Sequence, residues 1–168
     1  MSMMSIRAAT PRDREAIRLV EEHAFGQQAE AGLVDALVTG GDAVVELVAE
    51  EDGQVVGHIL FSRLYVDNGG KRFAAVALAP LAVEPSFHGT GIGGALIREA
   101  HVRLKEAGET LAVVLGDPTY YGRFGYTHDR AGKFESEYQG EALQALAWGD
   151  APETGRLVYA SAFTALAA

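Results

Sequence analysis

Four glycines, Gly89, Gly91, Gly93 and Gly94, lie close together in the middle of the chain. An apolar run of strand character, Phe73 to Val83, precedes them, and a helical pattern follows them. Glycine lacks a Cβ atom and tolerates positive φ angles, so its backbone N–H groups can approach a ligand closely. The first N–H groups of a helix have no partner within it, and the helix dipole adds about half a unit of positive charge there. This combination predicts a site for an anion such as a pyrophosphate.

A second candidate group is the aromatic segment at residues 120–126, which reads Tyr-Tyr-Gly-Arg-Phe-Gly-Tyr. A tyrosine hydroxyl has a reference pKa of about 10, so it keeps its proton at neutral pH and can donate it to a departing anion. Aromatic residues in a short helix are more often packing residues, and the residues alone favour that interpretation. Tyr120 is predicted to belong to the core.

The residue types that are missing limit the chemistry. The chain has no cysteine, which excludes a disulfide framework, a thiolate metal site and a cysteine nucleophile. Four histidines, His23, His58, His101 and His128, show no spacing typical of metal ligands. We therefore expect surface or capping roles for them and no metal site.

Length and charge favour one acidic globular domain. With 168 residues, of which 48% are hydrophobic, the chain can fill one core, and we expect a single domain over residues 1–168. A net charge of −9 argues against a nucleic-acid surface. Ordinary solubility is the favoured explanation of this charge, and a cationic substrate such as an amine is a more specific, less favoured one. No long apolar window and no signal-peptide pattern is present, so we expect no membrane association and a cytoplasmic location.

Periodicity and turn signals predict the elements that would position these groups. Two helices, at 10–26 and 29–37, are predicted before any strand. Three antiparallel strands follow, at 43–49, 55–66 and 73–83.

The second half of the chain supplies the rest of the fold. A helix at 92–107 follows the glycines, because apolar residues recur there at spacings of three or four. The next strand, 110–115, is expected to run parallel to the strand before that helix. A short helix through Tyr121 and strand-like pieces at 142–148 and 156–159 complete the order. The predicted fold class is α/β, with a central mixed sheet flanked by helices and one parallel βαβ crossover.

The glycines admit a second interpretation. Gly89, Gly91 and Gly94 match the dinucleotide fingerprint G-x-G-x-x-G, and Asp117 stands where a ribose-binding acid is expected. That fingerprint belongs to the first turn of a repeated βαβ array, whereas here it follows antiparallel hairpins. A dinucleotide-binding oxidoreductase is therefore a less favoured alternative, as is a purely structural glycine turn.

Two motifs together resemble the GNAT family of acyl-CoA-dependent N-acetyltransferases. The segment His88-Gly-Thr-Gly-Ile-Gly93 resembles motif A, whose pattern is Gln/Arg-x-x-Gly-x-Gly/Ala at the start of a helix. Residues 120–126 resemble the Tyr-x-x-x-Gly-Phe segment of the family. The resemblance covers residues 5–130, and the extension 131–168, expected to complete the sheet, is similar to a bacterial YhbS-like group of predicted acetyltransferases.

This resemblance implies acetyl-CoA as the cosubstrate and an α/β acyltransferase fold. The strand before the glycines would diverge from its parallel neighbour, Val83 from Leu115, and leave backbone groups for the pantetheine arm. The coenzyme-binding residues implied are Leu81, Ala82, Val83, His88, Gly89, Thr90, Gly91, Ile92, Gly93 and Gly94. His88 departs from the usual Gln or Arg of the motif.

The resemblance also implies direct attack by an amine in a ternary complex, with Tyr121 protonating or hydrogen-bonding the departing thiolate. Several relatives carry a glutamate base in the preceding strand, and this chain has none there. Glu84 follows that strand and is expected to be a solvated turn residue. A non-catalytic acyl-CoA-binding or regulatory module is thus an alternative.

The acceptor pocket implied by the resemblance includes Phe25 and Gln28 and the segment after Tyr126. A small-molecule amine, an aminoacyl group and a protein amine all stay open as acceptors. A homodimer formed through edge strands of the tail is also open.

Overall fold

The computed structural model describes residues 3–167, and helices cover both faces of its sheet. The strands are β1 (Met4–Ala8), β2 (Ala43–Glu51), β3 (Gln54–Asn68), β4 (Lys71–Val83), β5 (Leu111–Leu115), β6 (Phe134–Glu135), β7 (Leu143–Ala147) and β8 (Gly155–Val158). The α-helices are α1 (Arg14–Phe25), α2 (Ala29–Thr39), α3 (Ile92–Glu106), α4 (Pro118–Gly122), α5 (His128–Ala131) and α6 (Ser161–Ala167).

The sheet is mixed. Six strands follow the order β1-β2-β3-β4-β5-β7, while β8 pairs with β3 and β6 pairs with β8. The β4–β5 and β6–β8 pairs are parallel, and the other pairs are antiparallel. Helix α3 connects β4 to β5 as the predicted parallel crossover, so the prediction of an α/β fold with a mixed, helix-flanked sheet is confirmed.

The N-terminal strand corrects the predicted order of elements. Strand β1 precedes both N-terminal helices and pairs with β2, from Met4 opposite Glu51 to Ala8 opposite Leu47. Its sequence, Met-Ser-Ile-Arg-Ala, alternates apolar and polar residues, but this alternation spans only five positions, and none of the five residues is fully buried. The expectation of two helices before any strand was wrong.

The tail joins the sheet at two places. Strand β7 pairs with β5. Strand β8 pairs with β3 at Tyr65 to Asp67, beyond the part of β3 that pairs with β2. Both strands agree with the predicted pieces of the tail. The structure adds α6, and Phe163 of this helix packs against the core between α1, α2 and the sheet.

Close packing of α3 on β3 fixes the position of the glycine-rich turn. Ile92 and Leu96 are buried, and a Cβ atom on Gly57 would lie 2.9 Å from Cγ2 of Ile92 and 3.0 Å from Cδ1 of Leu96. Burying a side chain of this size stabilises the fold by about 1.5–3 kcal/mol. The first turn of α3 is consequently held beside the end of β4.

Strands β4 and β5 diverge toward their C-terminal ends, as the family resemblance implied. Their pairing ends at Leu78 opposite Val114. Pro80 has no N–H group with which to continue the ladder. Beyond it, Leu81 to Val83 pair with β3 on their other side. The divergence opens a gap between the ends of β4 and β5.

Candidate active site

The glycine-rich turn forms one wall of a cavity of about 680 Å³ at the start of α3. Gly89 and Gly91 have φ angles of 80° and 85°, which residues with a Cβ atom rarely adopt. Gly91 caps α3, so the N–H groups of the first helical turn begin at Ile92. The cavity therefore combines free helix N–H groups with the positive end of a helix dipole, as an anion site requires.

Aromatic residues of α4 and the turn after it press against the first turn of α3. A Cβ atom on Gly93 would lie 2.7 Å from the Tyr120 hydroxyl oxygen, and one on Gly94 would lie 3.3 Å from Cζ of Phe124. Tyr120 packs on the core, as expected, and it also lines the cavity. Both glycines are needed because a larger residue would push these rings away from the helix.

Nine of the ten predicted coenzyme-binding residues line this cavity, and Thr90 does not. The Thr90 hydroxyl donates to the carbonyl of Phe87 at 2.5 Å. His88 lines the cavity, but its Nε2 donates to the carbonyl of Val83 at 2.8 Å. This carbonyl, expected to be free for a ligand, is therefore already hydrogen-bonded.

Two arginines that the sequence motifs did not single out also line the cavity, Arg98 and Arg123. Their guanidinium groups lie over aromatic rings, Arg98 at 5.0 Å from the Phe124 centroid and Arg123 at 4.8 Å from that of Tyr120. Neither makes an ion pair with the described residues, so both charges are available to an anion. Arg98 follows Gly94 by four residues, one helical turn, and this spacing is the signal that could have identified it.

Tyr121 lies in a second cavity of about 570 Å³, bounded by α2, the diverging ends of β4 and β5, and the tail. Phe25 and Leu81 line both cavities, so the two spaces meet there. Gln28, the other predicted acceptor-binding residue, precedes α2, is exposed and lines neither cavity.

The ring of Tyr121 packs against the backbone of Gly116, where a Cβ atom would lie 2.5 Å from the ring. Burial, with a smaller effect of neighbouring Tyr120, raises the pKa of Tyr121 to about 12. Its hydroxyl has no hydrogen-bond partner among the described residues. Tyr121 is therefore a protonated donor with an unused hydrogen bond beside the β4–β5 gap.

A buried charged network lies on the opposite face of the sheet from α3. His58 is fully buried, with Nδ1 2.7 Å from Oε2 of Glu21 and Nε2 2.7 Å from Oε2 of Glu46. Glu46 also accepts from Arg14 at 2.5 Å. The expectation of a surface or capping role was wrong for His58, because its partners, in α1 and β2, are distant in sequence.

The pKa values in this network follow from burial and pairing. Burial disfavours the charged ring of His58, but its bonds to Glu21 and Glu46 outweigh burial and raise its pKa above the ordinary value. Burial raises the pKa of Glu21, and the bond to His58 offsets only part of this effect. Burial of Glu46 is outweighed by His58 and Arg14, so the pKa of Glu46 is lowered.

His101 and Glu84 also differ from their predicted roles. His101 is buried against Tyr126, with Nε2 2.9 Å from the tyrosine hydroxyl oxygen, so a surface role was wrong for it too. Burial, then the charge of Lys105, lowers the pKa of His101 to about 4. The side chain of Glu84 is only 14% exposed and accepts from Nδ1 of His23 at 2.5 Å, so it is not a solvated turn residue.

Asp117 has a structural role. Its side chain accepts the N–H of Thr119 at 2.9 Å and caps α4. This cap accounts for Asp117 at the end of β5 without a ribose ligand.

Residues 3–167 contain neither a cluster of metal-binding side chains nor a membrane-spanning helix. In that part of the chain, no three His, Cys, Asp or Glu side chains are grouped so that they could hold a metal ion. None of the described helices is long and apolar enough to cross a membrane.

Comparison with known proteins agrees with this geometry. Residues 5–128 match the model of the family described as an acetyltransferase (GNAT) domain. The chain is 40% identical over 124 residues to the uncharacterized N-acetyltransferase YhbS of Escherichia coli K12, covering 73% of each chain. It is 41% identical over 116 residues to YjhQ of the same organism, covering 68% of this chain and 64% of YjhQ.

Solved structures give the same result over nearly the whole chain. A GNAT family acetyltransferase from Brucella melitensis in complex with acetyl-CoA has a TM-score of 0.81 and 40% identity, covering 96% of this chain and 98% of the other. YhbS from E. coli in complex with CoA has a TM-score of 0.89 and 32% identity, covering 98% and 93%. With the glycine turn, the diverging strands and these matches together, the chain belongs to the GNAT family of acetyltransferases.

Proposed function

We propose that this protein transfers the acetyl group of acetyl-CoA to an amine by direct attack within a ternary complex. The observation that carries the proposal is the meeting of two cavities at Leu81, one with an anion cradle and the other with Tyr121. Complexes of relatives with acetyl-CoA and CoA support this assignment of the ligand.

The residues of the first cavity fit a coenzyme that carries phosphates. The turn Gly89 to Gly94 offers helix N–H groups to a pyrophosphate, and Arg98 and Arg123 offer two unpaired positive charges. The strand end at Leu81 and Ala82 can pair with an extended pantetheine arm on the side where β5 has diverged, whereas the Val83 carbonyl is held by His88. The absence of Cβ atoms at the turn leaves room for a close approach.

The transfer needs no nucleophile from the protein. The amine nitrogen forms a bond to the acetyl carbonyl carbon, the carbon–sulfur bond breaks, and the amine loses one proton as the thiolate leaves. Acetyl-CoA supplies the activated thioester. A backbone N–H near Leu81 that hydrogen-bonds the carbonyl oxygen would stabilise the developing negative charge by about 2.7–4 kcal/mol.

The raised pKa of Tyr121 defines its role more closely. Burial raises the pKa of Tyr121 to about 12, so its hydroxyl keeps its proton at neutral pH and can donate to the departing sulfur. We infer that Tyr121 stabilises the leaving thiolate by hydrogen bonding to it or by protonating it.

A Tyr121→Phe variant tests this function. We expect kcat to fall about a hundredfold, a size typical of losing a positioned donor, while acetyl-CoA binds as before. Tyr65→Phe is the matched control, because Tyr65 lines neither cavity. A non-catalytic acyl-CoA-binding module would instead show no transfer to any amine in either variant or the parent protein.

A further inference from the structure

The second cavity has the size and position of an acceptor site. Its volume of about 570 Å³ lies within the range of about 300–1,000 Å³ that small-molecule sites occupy. It adjoins the coenzyme cavity at Phe25 and Leu81 and holds Tyr121. A molecule in it would lie beside the diverging ends of β4 and β5.

The lining of this cavity is mostly apolar and partly aromatic. Three rings form a continuous row, with centroids 5.2 Å apart for Tyr138 and Tyr159 and 5.9 Å apart for Tyr159 and Phe163. Leu33 of α2 and Leu143 of β7 add aliphatic surface. Aromatic rings bind other rings through offset or edge-on contacts, so this lining favours a ligand with an apolar, preferably aromatic, body.

One side chain in the lining carries a charge, and it is the carboxylate of Glu30. Glu30 is half-buried and accepts from Nε2 of Gln27 at 3.0 and 3.1 Å. It makes no ion pair with the described residues. Because a carboxylate has about four lone-pair positions, Glu30 keeps acceptor capacity for a cation.

We propose that the acceptor is a small arylalkylamine, with its ring on the aromatic row and its ammonium group on Glu30. This inference rests on the proposed acetyl transfer and specifies the substrate class for the same site. A single carboxylate in an apolar cavity matches one positive charge on an apolar body, and it does not match a polyamine. The bound ammonium gives one proton to water before its nitrogen attacks.

The substrate class is tested by measuring release of the CoA thiol at saturating acetyl-CoA with four amines. We expect kcat/KM for 2-phenylethylamine and tryptamine to exceed that for spermidine and for a lysine-containing peptide by about tenfold or more, from burial of the ring. A preference for spermidine or for the peptide would overturn the inference.

A Glu30→Gln variant tests the ammonium site. Loss of a charged hydrogen bond should raise KM for 2-phenylethylamine about tenfold or more, with a smaller change in kcat. Asp35→Asn is the matched control, because Asp35 lies on the same helix, is partly exposed, pairs with Arg18 and lies outside the cavity. An unchanged KM in Glu30→Gln would overturn the role of Glu30.

Calorimetric titration of 2-phenylethylamine into the CoA-saturated protein gives a result that does not depend on turnover. We expect binding by the parent protein and weaker binding by Glu30→Gln. If acetyl-CoA binds but 2-phenylethylamine does not, this inference fails and the proposed function survives. If acetyl-CoA itself does not bind, the proposed function fails and this inference fails with it.

Discussion

In the cavity at the start of α3, the backbone and the side chains of single residues have different roles. Gly89 and Gly91 allow the turn, and Gly93 and Gly94 allow aromatic rings to pack against α3. The positive charge comes from the side chains of Arg98, in α3, and Arg123, directly after α4. They matter because the chain as a whole carries a net charge of −9, which disfavours an anionic ligand unless local charge compensates.

Replacing Arg98 or Arg123 by glutamine should weaken acetyl-CoA binding. Each guanidinium is exposed, lines the cavity and has no carboxylate partner among the described residues, so we expect its loss to raise Kd about fivefold. Arg103→Gln is the control, since Arg103 lies on the same helix and pairs with Glu99 at 3.6 Å. If calorimetry gives equal Kd values for all three variants, Arg98 and Arg123 do not contribute to acetyl-CoA binding.

Substituting Gly116 by alanine should displace the Tyr121 ring while leaving its hydroxyl group in the protein. The new Cβ atom would lie 2.5 Å from the Tyr121 ring, so the ring must move. A displacement of about 1 Å can cost about a hundredfold in rate, and we expect kcat to fall by that order. Gly122→Ala is the control, because nothing lies within 4 Å of its Cβ position. Equal kcat values for both variants would contradict the positioning of Tyr121.

Site residues could be predicted from the sequence where they lie together in one short motif. The glycines and Tyr121 stand in short motifs, so their neighbourhood is visible in the chain itself. Arg98 lies one helical turn after Gly94, a spacing that could have identified it, whereas Arg123 reaches the cavity through the packing of α4 on α3, which no local pattern encodes. His58 was missed for the same reason, since Glu21 and Glu46 reach it from other elements.

At the scale of elements, the site depends on where α3 begins and where β4 and β5 part. Gly57 lets α3 lie close to β3, and Pro80 coincides with the end of β4–β5 pairing. On the other face, the His58 network ties α1 to β2 and β3. His58 neighbours Ala82 of β4 in the sheet, so the network supports the strand end that lines the coenzyme cavity.

The His58 network predicts a pH dependence of stability. A raised folded-state pKa for His58 contributes stability that is full below its unfolded value, about 6.5, and is lost as pH rises through the folded value. The raised pKa of Glu21 acts in the same direction. The lowered pKa of Glu46 acts oppositely, contributing stability that is lost as pH falls through its folded value.

We therefore expect the free energy of unfolding to fall as pH rises above about 6.5, and to fall less steeply in a His58→Gln variant. That variant should also lose about 3 kcal/mol or more at neutral pH, because the buried carboxylate of Glu21 loses its partner, whereas Glu46 keeps its bond to Arg14. Urea unfolding across the pH range measures both effects. His128→Gln is the control, since His128 bonds only the Leu143 carbonyl among the described residues. Identical pH profiles for His58→Gln and the parent protein would contradict the account.

Elements with strong periodicity were predictable, and short or edge elements were not. Helix α3 repeats apolar residues at spacings of three or four, and its predicted bounds, 92–107, differ from Ile92–Glu106 by one residue. Strand β1 alternates apolar and polar residues over only five positions and buries none of them fully, and β6 has only two residues, so both signals are too short to identify a strand. Helix α6 owes its place to packing of Phe163 near α2, a contact over more than a hundred residues of chain.

At the scale of the whole molecule, the fold brings two chemically different cavities together at one strand end. One has helix N–H groups and arginines, and the other has aromatic rings and a single carboxylate. The tail completes the second cavity through Tyr138, Tyr159 and Phe163. We propose that the chain works as one acetyltransferase domain, with residues 131–168 forming part of the acceptor side.

Titration of acetyl-CoA into the purified protein, with NADH in a parallel experiment, tests the central claim most directly. We expect saturable binding of acetyl-CoA and none of NADH, and at a hundred times Kd the ligand should stabilise the fold by about 2.7 kcal/mol. Binding of NADH without binding of acetyl-CoA would contradict the account and would favour a dinucleotide-binding role for the glycine-rich turn.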